Sequence, residues 1–391
     1  MVREGACAIC LAAFALTAGT GCGGSSSQSG GGTAPPPSAS YYAYVTYIPG
    51  GNTQKGNLMT YSEVSGKLSV VGSAISAQDA CGLTVSPNNK FLYVALCGGG
   101  WIQPYSINPS TGELTAVGNG TPVDIPGPSG GFITPLVVAP NGKFAYVVNE
   151  SPNPQQSVVT YSIGGDGSLT AVGSPVLFNK NGWLHISLAI APAGNFLYIG
   201  YWGQGEVYAY AVDASSGGLT SVAGSPFALN GGTTPISYDP VALTVAASGN
   251  YLYAPGDSGL SIFSVASGAG ALTAMNPYSG GLDGPMILNS VGNMAYMQTS
   301  GSGWVGTYSI DTSTGALSQT QLVNSSFLHG DGIALDPSGA YLYALWTENP
   351  SGGEGEVSIY AVDSSTGAIT YLGPASGTSG TWPTGIAFAT E

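Results

Sequence analysis

From residue 41 to the C-terminus, apolar positions come in short alternating runs separated by clusters of Gly, Pro, Asn and Ser. Runs of that length and period are strands, and no segment between them has a helical period. The runs also recur. An aromatic phrase stands at Tyr42-Ala43-Tyr44, Phe91-Leu92-Tyr93, Phe144-Ala145-Tyr146, Phe196-Leu197-Tyr198, Tyr251-Leu252-Tyr253, Met294-Ala295-Tyr296 and Tyr341-Leu342-Tyr343, at spacings of 49, 53, 52, 55, 43 and 47 residues. A second run is centred on Tyr61, Tyr105, Tyr161, Tyr210, Phe263, Tyr308 and Tyr360. A glycine turn of the type TGEL or TGAL follows it, then a third run such as LTAVGS. A fourth run precedes each aromatic phrase from the second onward, as in CGLTVSP and GIALDP, and joins it through a tight turn such as PNGK at 140–143.

A fixed period of roughly 40–50 residues with four strands per unit predicts an all-β, seven-bladed β-propeller. The N-terminal unit lacks its own fourth run. The missing strand is the last one of the chain, Gly385 to Ala389, which is expected to pair with Tyr41–Tyr47 and close the ring. Closure removes exposed sheet edges. An open β-solenoid is the alternative, and it would need polar caps at both ends.

Ahead of the repeats, residues 1–21 read as an export signal: Arg3, the apolar run Ala6–Ala18, then small residues. That run is too short to span a bilayer. Cys22 follows Gly19-Thr20-Gly21, which resembles a bacterial lipoprotein cleavage site and makes Cys22 the candidate lipidated residue. The Gly/Ser/Pro stretch of residues 22–40 reads as a tether, and residues 41–391 as the propeller. The alternative is a soluble secreted chain with an incidental Cys22. In both readings the location is extracytoplasmic, and any membrane contact is through the anchor alone. Cys81 and Cys97 flank the turn at Asn88-Asn89, so a hairpin brings them to opposite strands. They are expected to form a disulfide, or else to be two free buried thiols.

Charged residues make up only 7% of the chain, with 6 Lys+Arg against 20 Asp+Glu and a net charge of −14. The only Arg is Arg3, so the mature chain has none. Such a surface excludes nucleic acid and anionic lipid as partners, and it argues against a phosphorylated substrate, which Arg and Lys forks normally hold. Motifs for phosphate loops, dinucleotides, nucleophile elbows and zinc are absent. No cofactor or metal is called for. The acidic loops leave Ca²⁺ as a possibility, although no D-x-D-x-D-G loop is present.

The short turns are expected on one face of the ring and the longer, variable loops on the other, where function usually resides. All six tryptophans fall in or beside those longer loops: Trp101, Trp183, Trp202, Trp304, Trp346 and Trp382. Aromatic platforms among carboxylates suit a neutral, polyhydroxylated ligand such as a saccharide, or a protein partner; the competing reading is tryptophan wedged between blades as packing. The two histidines, His185 and His329, precede the inner strands of blades 4 and 7, and His329 joins the candidate ligand-binding set. His185 is a candidate general base, with Asp331 or Glu206 orienting it. The bland alternative is two loop histidines bonded to backbone.

These repeats resemble those of the seven-bladed lactonase-like, or YVTN-type, propellers, which include 6-phosphogluconolactonase-like proteins. The residues that carry the likeness are YVTY at 44–47, YVVN at 146–149, SPNNKFLYV at 86–94, DPSGAYLYA at 336–344 and YSIDTSTGAL at 308–317. The resemblance spans 41–391. It implies lactone hydrolysis with a His-containing segment near His185 and an Arg just beyond an aromatic strand. In blade 7 that position is Thr347, which argues against a sugar-phosphate substrate. Three readings follow: a monomeric binding or scaffold module for a neutral ligand or protein, a neutral-lactone hydrolase working from His185, and a structural propeller with no small-molecule site.

Overall fold

The structure, a computed structural model, describes residues 41–49, 56–126, 133–149, 156–178, 186–201, 205–229, 242–256, 259–280, 284–299, 303–325, 327–348, 354–375, 378 and 381–390. The leader, Cys22 and the tether lie outside these residues. Seven four-stranded antiparallel blades form a ring. Blade 7 shows the plan, running outward from the axis as Leu328–Leu335, Tyr341–Glu348, Glu354–Val362 and Ile369–Pro374. In blade 1 the C-terminal strand Thr381–Thr390 is innermost and pairs along the whole of Tyr41–Pro49, from Tyr41 with Thr390 to Pro49 with Thr381. The ring therefore closes within a single blade built from both ends of the chain.

Alternation along each strand sends successive side chains to opposite sides of a blade. Both sides face a neighbouring blade, so both are buried, and the phrase Phe91-Leu92-Tyr93-Val94 is apolar throughout. The hydrophobic core is correspondingly divided into seven clusters, one for each seam between adjacent blades. Cluster residues Phe91, Tyr93 and Ala95 face blade 3, whereas Leu92 and Val94 face blade 1.

The two most repeated phrases meet across these seams. The first residue of each aromatic phrase lies against the turn glycine of the next blade: Tyr42 on Gly112, Phe91 on Gly167, Phe144 on Gly217, Phe196 on Gly270, Tyr251 on Gly315, Met294 on Gly367 and Tyr341 on Gly66. At four of these seams the third residue also reaches the same turn with its hydroxyl. Tyr44 donates to the Gly112 carbonyl at 3.1 Å, Tyr146 to Gly217 at 3.1 Å, Tyr198 to Gly270 at 3.2 Å and Tyr253 to Gly315 at 3.1 Å. Glycine is required because each of these turn positions is left-handed and any Cβ would enter the neighbouring side chain, a ring at six seams and the Met294 thioether at the seventh. The clasps fix both short turns of every blade to one face of the ring. Chain direction then puts the longer loops on the other face.

The blade 7–blade 1 clasp is different. Blade 1 replaces the long glycine turn by a two-residue hairpin at Ser65 and Gly66, with φ of 54° and 80°, a type I′ geometry. Glu63 stands where the other blades have Ile or Val. It is 1% exposed and accepts the Gly66 N–H at 2.5 Å. Burial and the neighbouring Asp336 push its carboxyl above the usual range, outweighing the Gly66 bond.

Candidate functional site

At the long-loop face several innermost strands carry one residue too many. In blade 7, Gly330 pairs with Trp346 and Gly332 with Leu345, leaving Asp331 unmatched. In blade 2, Ala80 pairs with Leu96 and Gly82 with Ala95, leaving Cys81. In blade 1, Pro383 pairs with Tyr47 and Gly385 with Thr46, leaving Thr384. A register shift also lies between Val147 and Asn149 in blade 3. Bulges re-aim side chains and free backbone groups that need new partners.

Those partners come from the preceding blade. The Thr384 hydroxyl lies 3.0 Å from the Ala80 carbonyl and 3.0 Å from the Thr46 hydroxyl. The bulge at Asp331 is held by Gln298, the last residue of Met294–Gln298 in blade 6, which is wholly buried. Its Nε2 donates to the Leu345 carbonyl at 2.9 Å and its Oε1 accepts the Gly332 N–H at 3.2 Å. Its side chain lies flat on Gly330, where a Cβ would come within 2.7 Å. Gln298 thereby fixes the backbone on both sides of a half-buried carboxylate at the inner end of the loop face. The role of Gln298 was not legible beforehand; the one signal is an amide closing an otherwise apolar run, MAYMQ.

The remaining candidates are placed as follows. Trp183, His185 and Trp202 lie outside the described residues. His329 is on the same innermost strand as Asp331, two residues earlier, with its side chain outside the described part. Glu206 opens the third strand of blade 4, Glu206–Val212, and accepts the Tyr208 hydroxyl at 3.1 Å. It pairs with Tyr201, which pairs with Ile186, so it stands two ladder spacings, about 9–10 Å, outward of the innermost strand. Asp331 is three blades away from the strand that follows His185.

The four described tryptophans all sit at the long-loop ends of strands, as expected, but not all as platforms. Trp346 corrects the expectation: it is 0% exposed, stacked on Phe327 with ring centroids 6.4 Å apart and planes 22° apart. It is packing in the blade 6–blade 7 core, because the second strand of a blade is covered on both faces. Trp304 is half-buried at the start of Trp304–Ile310, with its backbone N–H donating to the Thr299 hydroxyl at 3.0 Å. Trp382 is half-buried on the innermost strand of blade 1, across from Ile48. Only Trp101 among them is exposed, at 43%.

Cys81 and Cys97 are joined, with Cα atoms 5.9 Å apart. The link ties the bulge of blade 2 to the turn that leads into Trp101. Asp79, beside it, adopts a left-handed φ of 56°; its carbonyl accepts the Cys97 N–H at 2.9 Å, and burial raises its carboxyl above the usual range. Among the described residues no group of three or more His, Cys, Asp and Glu side chains is arranged to hold a metal ion. Among them, too, no helix is long and apolar enough to cross a membrane.

Comparison with solved structures finds the same ring. The periplasmic gluconolactonase of Pseudomonas aeruginosa superposes with a TM-score of 0.71 at 18% identity, covering 90% of this chain and 99% of that one. A putative 6-phosphogluconolactonase from Bacteroides fragilis superposes at 0.70 and 18% identity, covering 90% and 98%. A protein from Lactobacillus plantarum does so at 0.70 and 18%, covering 89% and 99%. At such identities the likeness establishes the fold. Comparison with curated proteins finds no match. The sequence pattern of the family described as "Lactonase, 7-bladed beta-propeller" matches residues 128–388, two thirds of the chain, and this protein therefore belongs to that family.

Proposed function

We infer that this protein hydrolyses an uncharged lactone at the loop-face end of the ring. The observation that supports this reading most directly is Asp331, an ionisable side chain set on a bulge of an innermost strand and locked there by a buried amide from the preceding blade. Asp331 is a carboxylate at a bulge position that Thr384 and Cys81 fill without charge in blades 1 and 2. Family membership and the lactonase names of the structural relatives support the same chemistry.

In this reading the lactone lies between blades 4 and 7. His185 takes a proton from water, whose oxygen bonds to the ring carbonyl carbon. The tetrahedral adduct then breaks its bond to the ring oxygen, which receives the proton, giving the open hydroxy acid. Asp331 accepts hydrogen bonds from substrate hydroxyls on the opposite side. Residues 41–391 contain no Arg, so the substrate is a neutral aldonolactone and not a sugar phosphate. The protein is exported through residues 1–21 and held by a lipid on Cys22, which places the reaction outside the cytoplasm; a periplasmic relative of the same fold agrees with this location.

The test is hydrolysis of glucono-1,5-lactone, its neutral homologues and 6-phosphogluconolactone by the purified chain. Turnover of neutral lactones is expected, with His185→Ala lowering kcat/KM about 10²–10⁴-fold and the phosphorylated substrate no better than the neutral one. Rates equal to those of buffer across the panel, or unchanged by His185→Ala, sink the proposal. The protein would then fit the competing reading, a binding module for a neutral ligand.

A further inference from the structure

We propose that Trp101 and Asp124 form a stacking subsite for a neutral saccharide, on blade 2 and apart from the proposed hydrolytic centre. Trp101 is 43% exposed, whereas the other described tryptophans are buried or half-buried. An exposed apolar side chain alone means little, as Val64, Leu177 and Val291 show elsewhere in this protein. Trp101 differs because the backbone is built around its ring.

The strand Trp101–Ile107 is preceded by a single 3-10 turn, Cys97–Gly99, closed by Gly100 in a left-handed conformation at φ 68°. The benzo half of the indole lies directly on Gly99, so closely that a Cβ there would collide with three ring carbons. One face of the ring is thus covered by bare backbone while the residue as a whole stays open to solvent. Gly99 does not have a positive φ, so its lack of a side chain answers to the ring and not to the turn.

The support beneath the ring is itself fixed. The Cys81–Cys97 link fastens the turn to the innermost strand, and the Cys97 N–H bonds the Asp79 carbonyl at 2.9 Å. The Ile125 N–H bonds the Gly100 carbonyl at 3.1 Å, bringing the short strand Val123–Asp124 alongside. Asp124 pairs with Trp101 in register. Directly opposed residues point to the same side of a sheet with Cβ atoms about 4.5–5.5 Å apart. The Tyr161 hydroxyl of blade 3 holds the Asp124 carbonyl at 3.0 Å, and the Asp124 residue is exposed.

A flat, rigid aromatic wall beside a hydrogen-bond acceptor matches a pyranose. The ring's axial C–H face packs on the indole, and equatorial hydroxyls donate to the carboxylate at its edge. Pre-fixing the wall removes the ordering cost that a mobile tryptophan would bear. An organic cation would also be drawn to a ring and a carboxylate. Cation sites, however, gain their affinity from several aromatic walls, and here there is one.

The experiment titrates the full chain with glucose, cellobiose, maltose and their longer oligomers, and separately with choline, reading tryptophan fluorescence and calorimetric heat. Saccharide binding is expected, weakened at least about tenfold by Trp101→Ala and retained in large part by Trp101→Tyr. Gly99→Ala, which tilts the ring without removing it, is expected to weaken binding about tenfold while the melting temperature stays within a few degrees. Asp124→Asn is expected to weaken it less, since an amide still offers an acceptor. No saccharide binding, binding indifferent to Trp101→Ala and Gly99→Ala, or binding of choline alone would each overturn the proposal. The readout is binding, so it is independent of whether any lactone is hydrolysed.

Discussion

If the seams are held by ring-on-glycine clasps, two glycines with the same backbone conformation must respond differently to the same substitution. Gly217 and Gly249 both have φ +72°. A Cβ on Gly249 meets nothing within 4 Å, whereas a Cβ on Gly217 lands 2.5 Å from the Phe144 ring of the preceding blade. Gly249→Ala therefore bears only the cost of an L-residue in the left-handed region, about 1–2 kcal/mol. Gly217→Ala bears that cost plus displacement of a buried ring, about 1–3 kcal/mol more. The displaced ring also strains the neighbouring Tyr146 bond to the Gly217 carbonyl. The assay is urea denaturation of both variants, with m-values checked for equality so that midpoints convert to free energies. Phe144→Ala is then combined with each. It should relieve Gly217→Ala, giving a coupling of about 1–3 kcal/mol, and leave Gly249→Ala additive. Equal losses for the two glycines, or no coupling to Phe144, would refute the clasp as a source of stability.

Two further outcomes follow from the same structure. Replacing Cys81 and Cys97 together by Ala, or reducing the native protein, opens a link across a sequence separation of 16 and should cost about 3 kcal/mol in the same assay; a midpoint that does not move would count against a stabilising role. Glu63 should make stability depend on pH in a particular direction. Its folded pKa is raised, mainly by burial, so the folded state favours the protonated form. That contribution is complete below the ordinary glutamate value and is lost as pH rises from there through the raised one. Glu63→Gln should therefore match the parent in acid and exceed it at neutral pH, and stability curves that stay parallel from acid to neutral would exclude this.

The repeat was legible because a propeller blade is a local object. Its strands are short, consecutive and joined by turns with fixed chemistry, so period and turn residues announce it. The Cys81–Cys97 link was legible for the same reason, since a hairpin brings together the residues that flank it, here the bulge of one strand and the turn just beyond the other. Trp346 was misread because its neighbours in sequence, Thr347 and Glu348, are polar. Its burial comes from Phe327 on the adjoining strand connection and from blade 6 beyond it.

Sequence by itself determined the number of blades, the four-strand unit, the closing strand and the acidic, Arg-free surface, because each depends on local pattern or on composition alone. Tertiary structure decided the rest. The clasp partners Tyr146 and Gly217 are 71 residues apart, and nothing in either phrase names the other. The bulges that isolate Asp331, Cys81 and Thr384 exist only in the register between two strands. Gln298 becomes the lock of Asp331 only when blade 6 meets blade 7, and Trp101 comes to face Asp124 only when Val123–Asp124 pairs alongside its strand. Each of these depends on which backbone comes to lie against a side chain, and that is settled by packing between segments and not by the order of residues within one.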